Sequence, residues 1–248
     1  MDYSEHKPRY DRDGYVVVRE FLGPDDLDRL NSEIDRFLRE VVPGLPASQV
    51  FRHEFPDGRR VVRQIHRMNV DPFFEDYRRD PRWVALAGAL LGEPVTARPP
   101  MWLNKPAGAD HPTPPHQDNI AFCLTPPSGT QIFLATEPVD LENGCLRYLP
   151  GSHRRGMRPH AFTGVRGFSL GITDFSAAEE AAEVVVELRA GDAVAHHPVT
   201  VHRALPNRSR SRSRAAFAMT FEGASARIDQ AAMDRAEQVA RDGLRTGR

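Results

Sequence analysis

A histidine and an aspartate two positions apart are the residues of this 248-residue chain best suited to chemistry. His116 and Asp118 follow two prolines, and if the chain is extended there, both side chains point to one face because side chains alternate along a strand. A histidine and a carboxylate on one face suit a transition metal, but a third protein ligand has to come from elsewhere. His202 is the candidate, since it ends a segment with three histidines within seven residues, 196–202.

Two histidines and one carboxylate on one face of a metal leave positions open for a co-substrate and O2, as in many non-haem iron enzymes. A zinc hydrolase fits less well, because the sequence has no H-E-x-x-H motif and no cysteine pair at zinc spacing. The simpler alternative is a surface pair at His116 and Asp118 with a packed histidine at position 202. The nearby His196 and His197 are expected to pack in the core or to hydrogen-bond to a ligand residue.

An arginine-rich segment offers a binding group for an anionic co-substrate. Arg214 directly precedes the apolar run Ala215–Phe221, so the fold is expected to hold this side chain in place. A buried guanidinium binds a carboxylate through two parallel hydrogen bonds. The remaining arginines of the segment alternate with serines and are expected in a solvated turn: Arg208, Arg210 and Arg212.

Composition excludes several other classes of protein. Lys+Arg is 33 and Asp+Glu is 34, and this balance argues against a protein that grips nucleic acid by its phosphates. Cys123 and Cys145 are too few for a disulfide framework and are expected to be free thiols. Because we find no apolar signal core and no apolar stretch of about 18 residues, we expect a soluble, cytoplasmic protein with no membrane partner.

The predicted secondary structure changes in character near residue 94. Before it, we expect a strand at Tyr15–Val18, an amphipathic helix after Gly23, a hairpin of Val50–Glu54 with Arg60–Gln64, and a helix at Pro81–Leu91. After it come seven short β-like runs between Pro/Gly turns: Val95–Leu103, His116–Leu124, Gln131–Thr136, Leu146–Leu149, Val184–Leu188, Ala193–His197 and Ala215–Phe221. We therefore expect one domain over 1–248, mainly β with flanking helices, in which a helical or mixed cap (about 1–94) precedes a β core (about 95–222) and a helix (about 224–244).

Taken in order, these motifs resemble the phytanoyl-CoA dioxygenase-like (PhyH) branch of the Fe(II)/2-oxoglutarate-dependent oxygenases. The resemblance covers nearly the whole chain. It implies a double-stranded β-helix, a cupin-like jelly-roll barrel with helices packed outside. The motifs that carry it are Tyr10–Val18, Met101–Pro106, His116-Gln117-Asp118, Glu142–Leu146, Leu149–His153, Gly191-Asp192, His202 and Asn207-Arg208-Ser209.

The resemblance also implies roles for individual residues. His116, Asp118 and His202 would hold Fe(II), with 2-oxoglutarate and O2 in the remaining positions. Arg214 would bind the distal carboxylate of 2-oxoglutarate, with Arg212 as the fallback. Met101 and Phe133 would line the co-substrate pocket. Many relatives carry a hydroxyl where this chain has Ala204, and the candidates to replace it are Thr130 and Gln131. The candidate substrate contacts are Trp102, Asn104, Phe122 and Arg67.

The implied reaction is oxidative decarboxylation of 2-oxoglutarate to succinate and CO2, coupled to oxidation of a small molecule. Asp118 favours hydroxylation over halogenation, because related halogenases carry a small residue in its place; desaturation, epoxidation and ring formation remain open. A basic segment favours an anionic metabolite or natural-product intermediate: Arg52, Arg59, Arg60, Arg63, His66 and Arg67. Two alternatives remain, a non-oxidative cupin-like isomerase or hydrolase and a binding protein that has lost turnover, and the oligomeric state is not predicted.

Overall fold

Seven helices flank the sheets in the computed structural model, which describes residues 1–164 and 170–246. Among these helices, none combines the length and apolar character that a membrane span requires. They are α1 Lys7–Asp13, α2 Pro24–Arg36, α3 Pro72–Tyr77, α4 Pro81–Leu91, α5 Asn119–Phe122, α6 Ala177–Ala181 and α7 Gln230–Thr246. Short 3-10 turns lie at Ser4–His6, Val42–Gly44, Met68–Val70 and Ser152–Arg155, and a π turn extends α2 over Phe37–Val41.

The strands pair antiparallel throughout the described residues. They are β1 Tyr15–Val18, β2 Val50–Glu54, β3 Arg60–Ile65, β4 Val95–Ala97, β5 Met101–Lys105, β6 Thr113–His116, β7 Leu124–Thr125, β8 Gly129–Ala135, β9 Leu146–Tyr148, β10 His160–Phe162, β11 Leu170–Ile172, β12 Val184–Val186, β13 Ala193–His196, β14 His202–Ala204, β15 Arg214–Gly223 and β16 Arg227–Ile228. A large sheet has the order β1-β13-β8-β15-β5-β3-β2, with β4 also along β15, and a small sheet has the order β12-β9-β14-β6. Two-stranded ribbons join β10 to β11 and β7 to β16.

Side chains from the two larger sheets share one apolar core. Phe133 of β8 and Val194 of β13 pack in it with Leu146 and Tyr148 of β9. Within the described ranges, hydrogen bonds do not join the two sheets into a closed barrel. The architecture is therefore a sandwich of two open antiparallel sheets, and the metal-ligand candidates lie on the small sheet and at its edge.

The opposite face of the large sheet is covered by helices, because alternate side chains of its strands point outward. Ile132 of β8 and Phe217 of β15 belong to a second apolar cluster with Leu30 of α2 and Trp83 of α4. The rings of Trp83 and Phe217 lie 5.8 Å apart, centroid to centroid. The central strands β8, β13 and β15 of the large sheet are thus buried on both faces.

Three predicted elements differ from the structure. The predicted strand Val95–Leu103 is two strands, since Pro99 and Pro100 have no N–H to donate to a ladder. The predicted strand His116–Leu124 ends at its first residue, and the chain turns into α5. The C-terminal helix begins at Gln230, because Arg227–Ile228 instead pair with β7.

The predicted helical or mixed cap (about 1–94) contributes three strands to the large sheet. β1 forms one edge of this sheet, β2 forms the other edge, and β3 lies between β2 and β5. The predicted hairpin of β2 with β3 is confirmed, as is helix α4. Cys123 and Cys145 are both buried free thiols, as predicted.

Candidate metal centre

Strand pairing brings His116 and His202 together. β6 and β14 are antiparallel neighbours, and the two histidines stand directly opposite each other in register. Asp118 Oδ1 lies 3.4 Å from His116 Nε2 and 3.7 Å from His202 Nε2. One ligand atom from each of the three residues therefore lies within 4.8 Å of the other two.

A buried glutamine holds the turn that carries Asp118. The side-chain nitrogen of Gln117 donates to the carbonyls of Gly156 and Val199 at 2.9 and 2.8 Å, and its oxygen accepts from the backbone N–H of Arg158 at 2.8 Å. Asp118 itself has helical backbone angles and precedes α5. The predicted closeness of the two ligand candidates is therefore present, but it comes from this turn and not from strand alternation.

The hydrogen bonds of the two histidines fix which ring nitrogen carries the hydrogen. His116 Nδ1 lies 2.8 Å from the Pro114 carbonyl oxygen, and His202 Nδ1 lies 3.0 Å from that of Thr200. Because a carbonyl only accepts, each Nδ1 must carry the hydrogen, and each Nε2 lone pair faces Asp118.

The protonation states also favour a bound cation. Burial, and next the neighbouring His116, lower the pKa of His202 well below its ordinary value, so this ring is neutral. Burial opposes ionisation of the Asp118 carboxyl, but the hydrogen bond from His196 Nε2 at 2.9 Å favours the ionised form and holds the pKa of Asp118 below its ordinary value. Neutral imidazole and ionised carboxylate are the states that a metal ion requires of its ligands. The residues thus fit an iron of the facial two-histidine, one-carboxylate type.

A cavity of about 490 Å³ contains this cluster, and basic side chains line its inner end. They are Arg214, Arg63 and Lys105, and burial lowers the pKa of Lys105 well below its ordinary value. Arg214 is buried, burial lowers its pKa to about 10, and its Nε has no hydrogen-bond partner among the described residues. Its guanidinium carbon lies 5.4 Å from the ring centroid of Phe133. A charged, buried guanidinium with a vacant donor fits a carboxylate ligand next to the metal cluster.

Arg212, the fallback arginine, lies at the surface. Its guanidinium pairs with Asp140 at 2.7 Å and with Glu142 at 2.6 Å. Two acids engage this side chain outside the cavity, and of the two candidates for 2-oxoglutarate binding only Arg214 lines the cavity.

The other predicted site residues divide into two groups. The cavity is lined by Met101, Asn104, Phe122, Gln131 and Phe133. Three other candidates, Thr130, Trp102 and Arg67, are not among the described residues that line the cavity. Thr130 donates to the His196 carbonyl at 3.2 Å, Trp102 packs in the helix-facing core, and Arg67 is exposed with a left-handed φ of 57°.

Hydroxyl and amide groups remain near position 204. Ala204 is fully buried, and its partner across the strand pair is Thr113, which lines the cavity. Gln131 also lines the cavity, although its side-chain oxygen already accepts from Thr220 at 3.0 Å. Sequence reasoning missed Thr113, because its closeness to position 204 depends on the strand register.

Helices α5 and α7 form the outer part of the cavity wall, which is mostly apolar but includes Glu237 of α7. Ile120 and Phe122 come from α5, and Met233, Ala236 and Ala240 come from α7. Sequence reasoning did not assign α7 to the site. The outer wall therefore suits apolar parts of a ligand.

The basic segment contributes less to the cavity than its sequence suggests. Arg63 and His66 line the cavity, whereas Arg52, Arg59 and Arg60 are exposed. Arg59 pairs with Asp57 on the hairpin turn. Much of this positive charge thus lies on the solvated hairpin and outside the cavity.

Comparison with known proteins identifies the family. Residues 10–216 match the profile of the phytanoyl-CoA dioxygenase family (PhyH). The chain belongs to this family. Peroxisomal phytanoyl-CoA dioxygenase of Rattus norvegicus is 28% identical over 219 residues, which cover 83% of this chain and 64% of the rat protein. The chain thus spans less than two thirds of this PhyH relative.

Solved structures of other enzymes share the PhyH fold. The epimerase SnoN, in complex with Fe3+, alpha-ketoglutarate and nogalamycin RO, is 28% identical with a TM-score of 0.72, covering 90% of this chain and 84% of SnoN. The carbocyclase SnoK from nogalamycin biosynthesis has a TM-score of 0.71 at 23% identity, covering 90% of this chain and 85% of SnoK. The predicted jelly-roll fold is confirmed, with two open sheets in place of a closed barrel. The predicted cofactors, Fe(II), 2-oxoglutarate and O2, are those of this PhyH family.

Proposed function

We propose that this chain is a non-haem Fe(II)/2-oxoglutarate-dependent dioxygenase that hydroxylates a small molecule. The observation that carries the proposal is the shared cavity of the His116, Asp118 and His202 cluster and the buried Arg214. The buried guanidinium, whose Nε has no hydrogen-bond partner among the described residues, offers the distal carboxylate of 2-oxoglutarate a binding group in that cavity. When bound, iron and 2-oxoglutarate supply O2-dependent oxidation of the substrate with release of succinate and CO2.

Each side chain of the site has a definite task in this proposal. His116, Asp118 and His202 hold the iron through the atoms that face one another. Arg214 binds the distal carboxylate of 2-oxoglutarate through its guanidinium, and Phe133 shields that pair from water. Burial strengthens such a charge-assisted pair, because few water molecules compete for its hydrogen bonds.

We propose a largely apolar substrate, bound against the outer wall formed by α5 and α7. Arg63 and His66 line the same cavity, so an acidic group on the substrate would meet a cationic partner there. Asp118 is a carboxylate ligand, which favours hydroxylation over halogenation. Strands from both halves of the sequence build the large sheet, and we propose that the chain acts as one catalytic domain.

The proposal is tested by succinate formation from 2-oxoglutarate with the Fe(II)-loaded protein and a library of small molecules. The library pairs each acidic compound with a neutral analogue, and mass spectrometry detects products that have gained one oxygen. Succinate formation that requires Fe(II), O2 and a library member supports the function. A product formed without O2 would instead establish the non-oxidative alternative.

Because SnoN, which shares this fold, is an epimerase, a second outcome is specific and testable. Ring formation leaves no added oxygen in the product, because the two hydrogens removed from the substrate leave with the second oxygen atom as water while succinate and CO2 are released. Epimerisation also adds no oxygen but leaves the oxidation state of the substrate unchanged, so its assay must contain a two-electron reductant such as ascorbate to consume the remaining oxidising equivalent. The mass of the product separates these reactions. A gain of one oxygen supports hydroxylation. An unchanged mass would indicate epimerisation instead, and a loss of two hydrogens would indicate ring formation.

A bulky residue on the inner face of α7 is expected to block substrate but not cofactors. In Ala236→Trp, the indole would enter the outer part of the cavity, and we expect kcat/KM for the identified substrate to fall by at least about 10-fold. Binding of 2-oxoglutarate at the inner end should stay within about twofold. The matched control is Ala231→Trp, since Ala231 lies on the same helix but is exposed. Equal kcat/KM values in both variants would contradict a substrate site at this wall.

A further inference from the structure

Behind the metal-ligand candidates, two buried side chains form a hydrogen-bonded chain that ends on Asp118. The hydroxyl of Tyr148 lies 2.9 Å from His196 Nδ1, and His196 Nε2 lies 2.9 Å from Asp118 Oδ2. Tyr148 is fully buried, and 1% of the surface of His196 is exposed. Water therefore does not compete for either hydrogen bond.

The direction of each hydrogen bond follows from the groups involved. Ionised Asp118 only accepts, so His196 Nε2 must carry a hydrogen and donate it. When Nε2 holds the only hydrogen of the ring, Nδ1 is an acceptor, and the Tyr148 hydroxyl donates to it. Tyr148 thus selects the ring form of His196 that serves Asp118.

The two oxygens of Asp118 consequently face different partners. Oδ1 faces His116 Nε2 and His202 Nε2, whereas Oδ2 accepts the hydrogen bond from His196. A carboxylate that is free to rotate presents either oxygen, or both, to a metal. One that is hydrogen-bonded through Oδ2 presents Oδ1 alone.

The backbone around His196 and Tyr148 is held on several sides. His196 stands opposite Tyr15 and Gln131 in the large sheet, and Tyr148 stands opposite His202 in the small sheet. The ring of Tyr148 stacks on that of Tyr15 with centroids 4.4 Å apart. The hydrogen-bonded chain therefore bridges the two sheets, so its geometry is set by the core.

We propose that His196, oriented by Tyr148, is a positioning residue that fixes Asp118 to offer one oxygen to the metal. This inference rests on the proposed function, because it assumes that Asp118 is a metal ligand. With one oxygen engaged by His196, fewer coordination positions are taken by protein, which leaves room for 2-oxoglutarate and O2. Partners that orient metal ligands typically change metal affinity by about 10- to 100-fold when removed.

The test is titration of the metal-free protein with Co(II) alone, followed by its visible absorption spectrum. His196→Phe keeps ring volume but removes the donor, and we expect Co(II) affinity to fall about 10- to 100-fold with a changed spectrum. His196→Gln restores a side-chain N–H near the position of Nε2 and should recover most of the affinity. Tyr148→Phe should weaken Co(II) binding by at least a few-fold, because the ring form of His196 is then no longer selected.

His197→Phe is the matched control, since the neighbouring histidine is partly buried but hydrogen-bonds locally to the Val199 N–H at 3.1 Å. Circular dichroism checks the fold of each variant, and Tyr148→Phe provides the decision if His196→Phe does not fold. Unchanged Co(II) affinity and spectrum in His196→Phe would overturn the proposal. If His196→Phe does not fold, the same result in Tyr148→Phe would overturn it. A loss of Co(II) affinity in His197→Phe equal to that in His196→Phe would overturn it as well. A signature of three imidazole nitrogens on the metal by pulsed magnetic resonance would also overturn it. If the unaltered protein binds no Co(II), the proposed function itself fails.

Discussion

Replacing His116 with alanine is expected to abolish turnover of 2-oxoglutarate while the fold survives. The substitution removes one of three protein ligands from the proposed iron site, and we expect Fe(II) affinity to fall by more than about 100-fold, beyond the effect of losing an indirect partner. His116 lies at the end of strand β6 and lines a cavity, so alanine there disturbs little of the apolar core. Succinate formation and Fe(II) binding are the measurements.

The matched control for this prediction is His153→Ala. His153 lies outside the cavity of the metal-ligand candidates, and its Nε2 is 3.1 Å from the Asp11 carbonyl oxygen. We expect this variant to retain Fe(II) binding and succinate formation. Retained succinate formation in His116→Ala would contradict the assignment of the ligand set.

Replacing Arg214 with alanine is expected to raise the 2-oxoglutarate concentration needed for half-saturation by roughly 10- to 150-fold. This range corresponds to about 1.5–3 kcal/mol for hydrogen bonds that involve a charged group. Fe(II) affinity should change little, because Arg214 is not among the metal-ligand candidates. Arg214→Lys should be intermediate, since the ammonium keeps the charge but loses the planar pair of donors.

Arg212→Ala provides the control for Arg214. Arg212 is partly exposed and pairs with two surface acids, and such pairs contribute about 0–1 kcal/mol. Half-saturation by 2-oxoglutarate should therefore stay within a few-fold of the unaltered protein. A larger loss in Arg212→Ala than in Arg214→Ala would reassign the co-substrate carboxylate to the arginine at position 212.

The metal-ligand candidates were predictable because residue type and order along the chain carry much of the information. The spacing of His116 and Asp118 is short and common by itself, and the ordered motifs on both sides, together with His202, are what limit chance matches. Strand alternation, however, is the wrong reason for the position of Asp118. The buried hydrogen bonds of Gln117 place this carboxylate, and their partners lie about 40 and 80 residues away.

Features that depend on register and long-range contact were not predictable. The hydrogen bond from Tyr148 to His196 joins two sheets across 48 residues of sequence. The placement of Thr113 opposite Ala204 depends on a bulged pairing of β6 with β14. Trp102 and Met101 are adjacent, yet only Met101 lines the cavity, and a shift of one residue in register would exchange them.

The basic hairpin shows that a binding site cannot be predicted from charge composition alone. Composition marks Arg52, Arg59 and Arg60 as a cationic surface, but it does not distinguish a ligand site from a solvated turn. Only burial separates them, and burial selects Arg63 from this segment. Charge patterns are thus weaker predictors of a site than ligand spacing, because charged side chains are stable in water without any partner.

An anaerobic titration of the metal-free protein, first with Fe(II) and then with 2-oxoglutarate, tests the central claim most directly. The account predicts a weak visible charge-transfer band that requires both additions and that is diminished in Arg214→Ala at the same 2-oxoglutarate concentration. Fe(II) binding without any such band, even at saturating 2-oxoglutarate, would contradict the claim and favour a non-oxidative metalloenzyme.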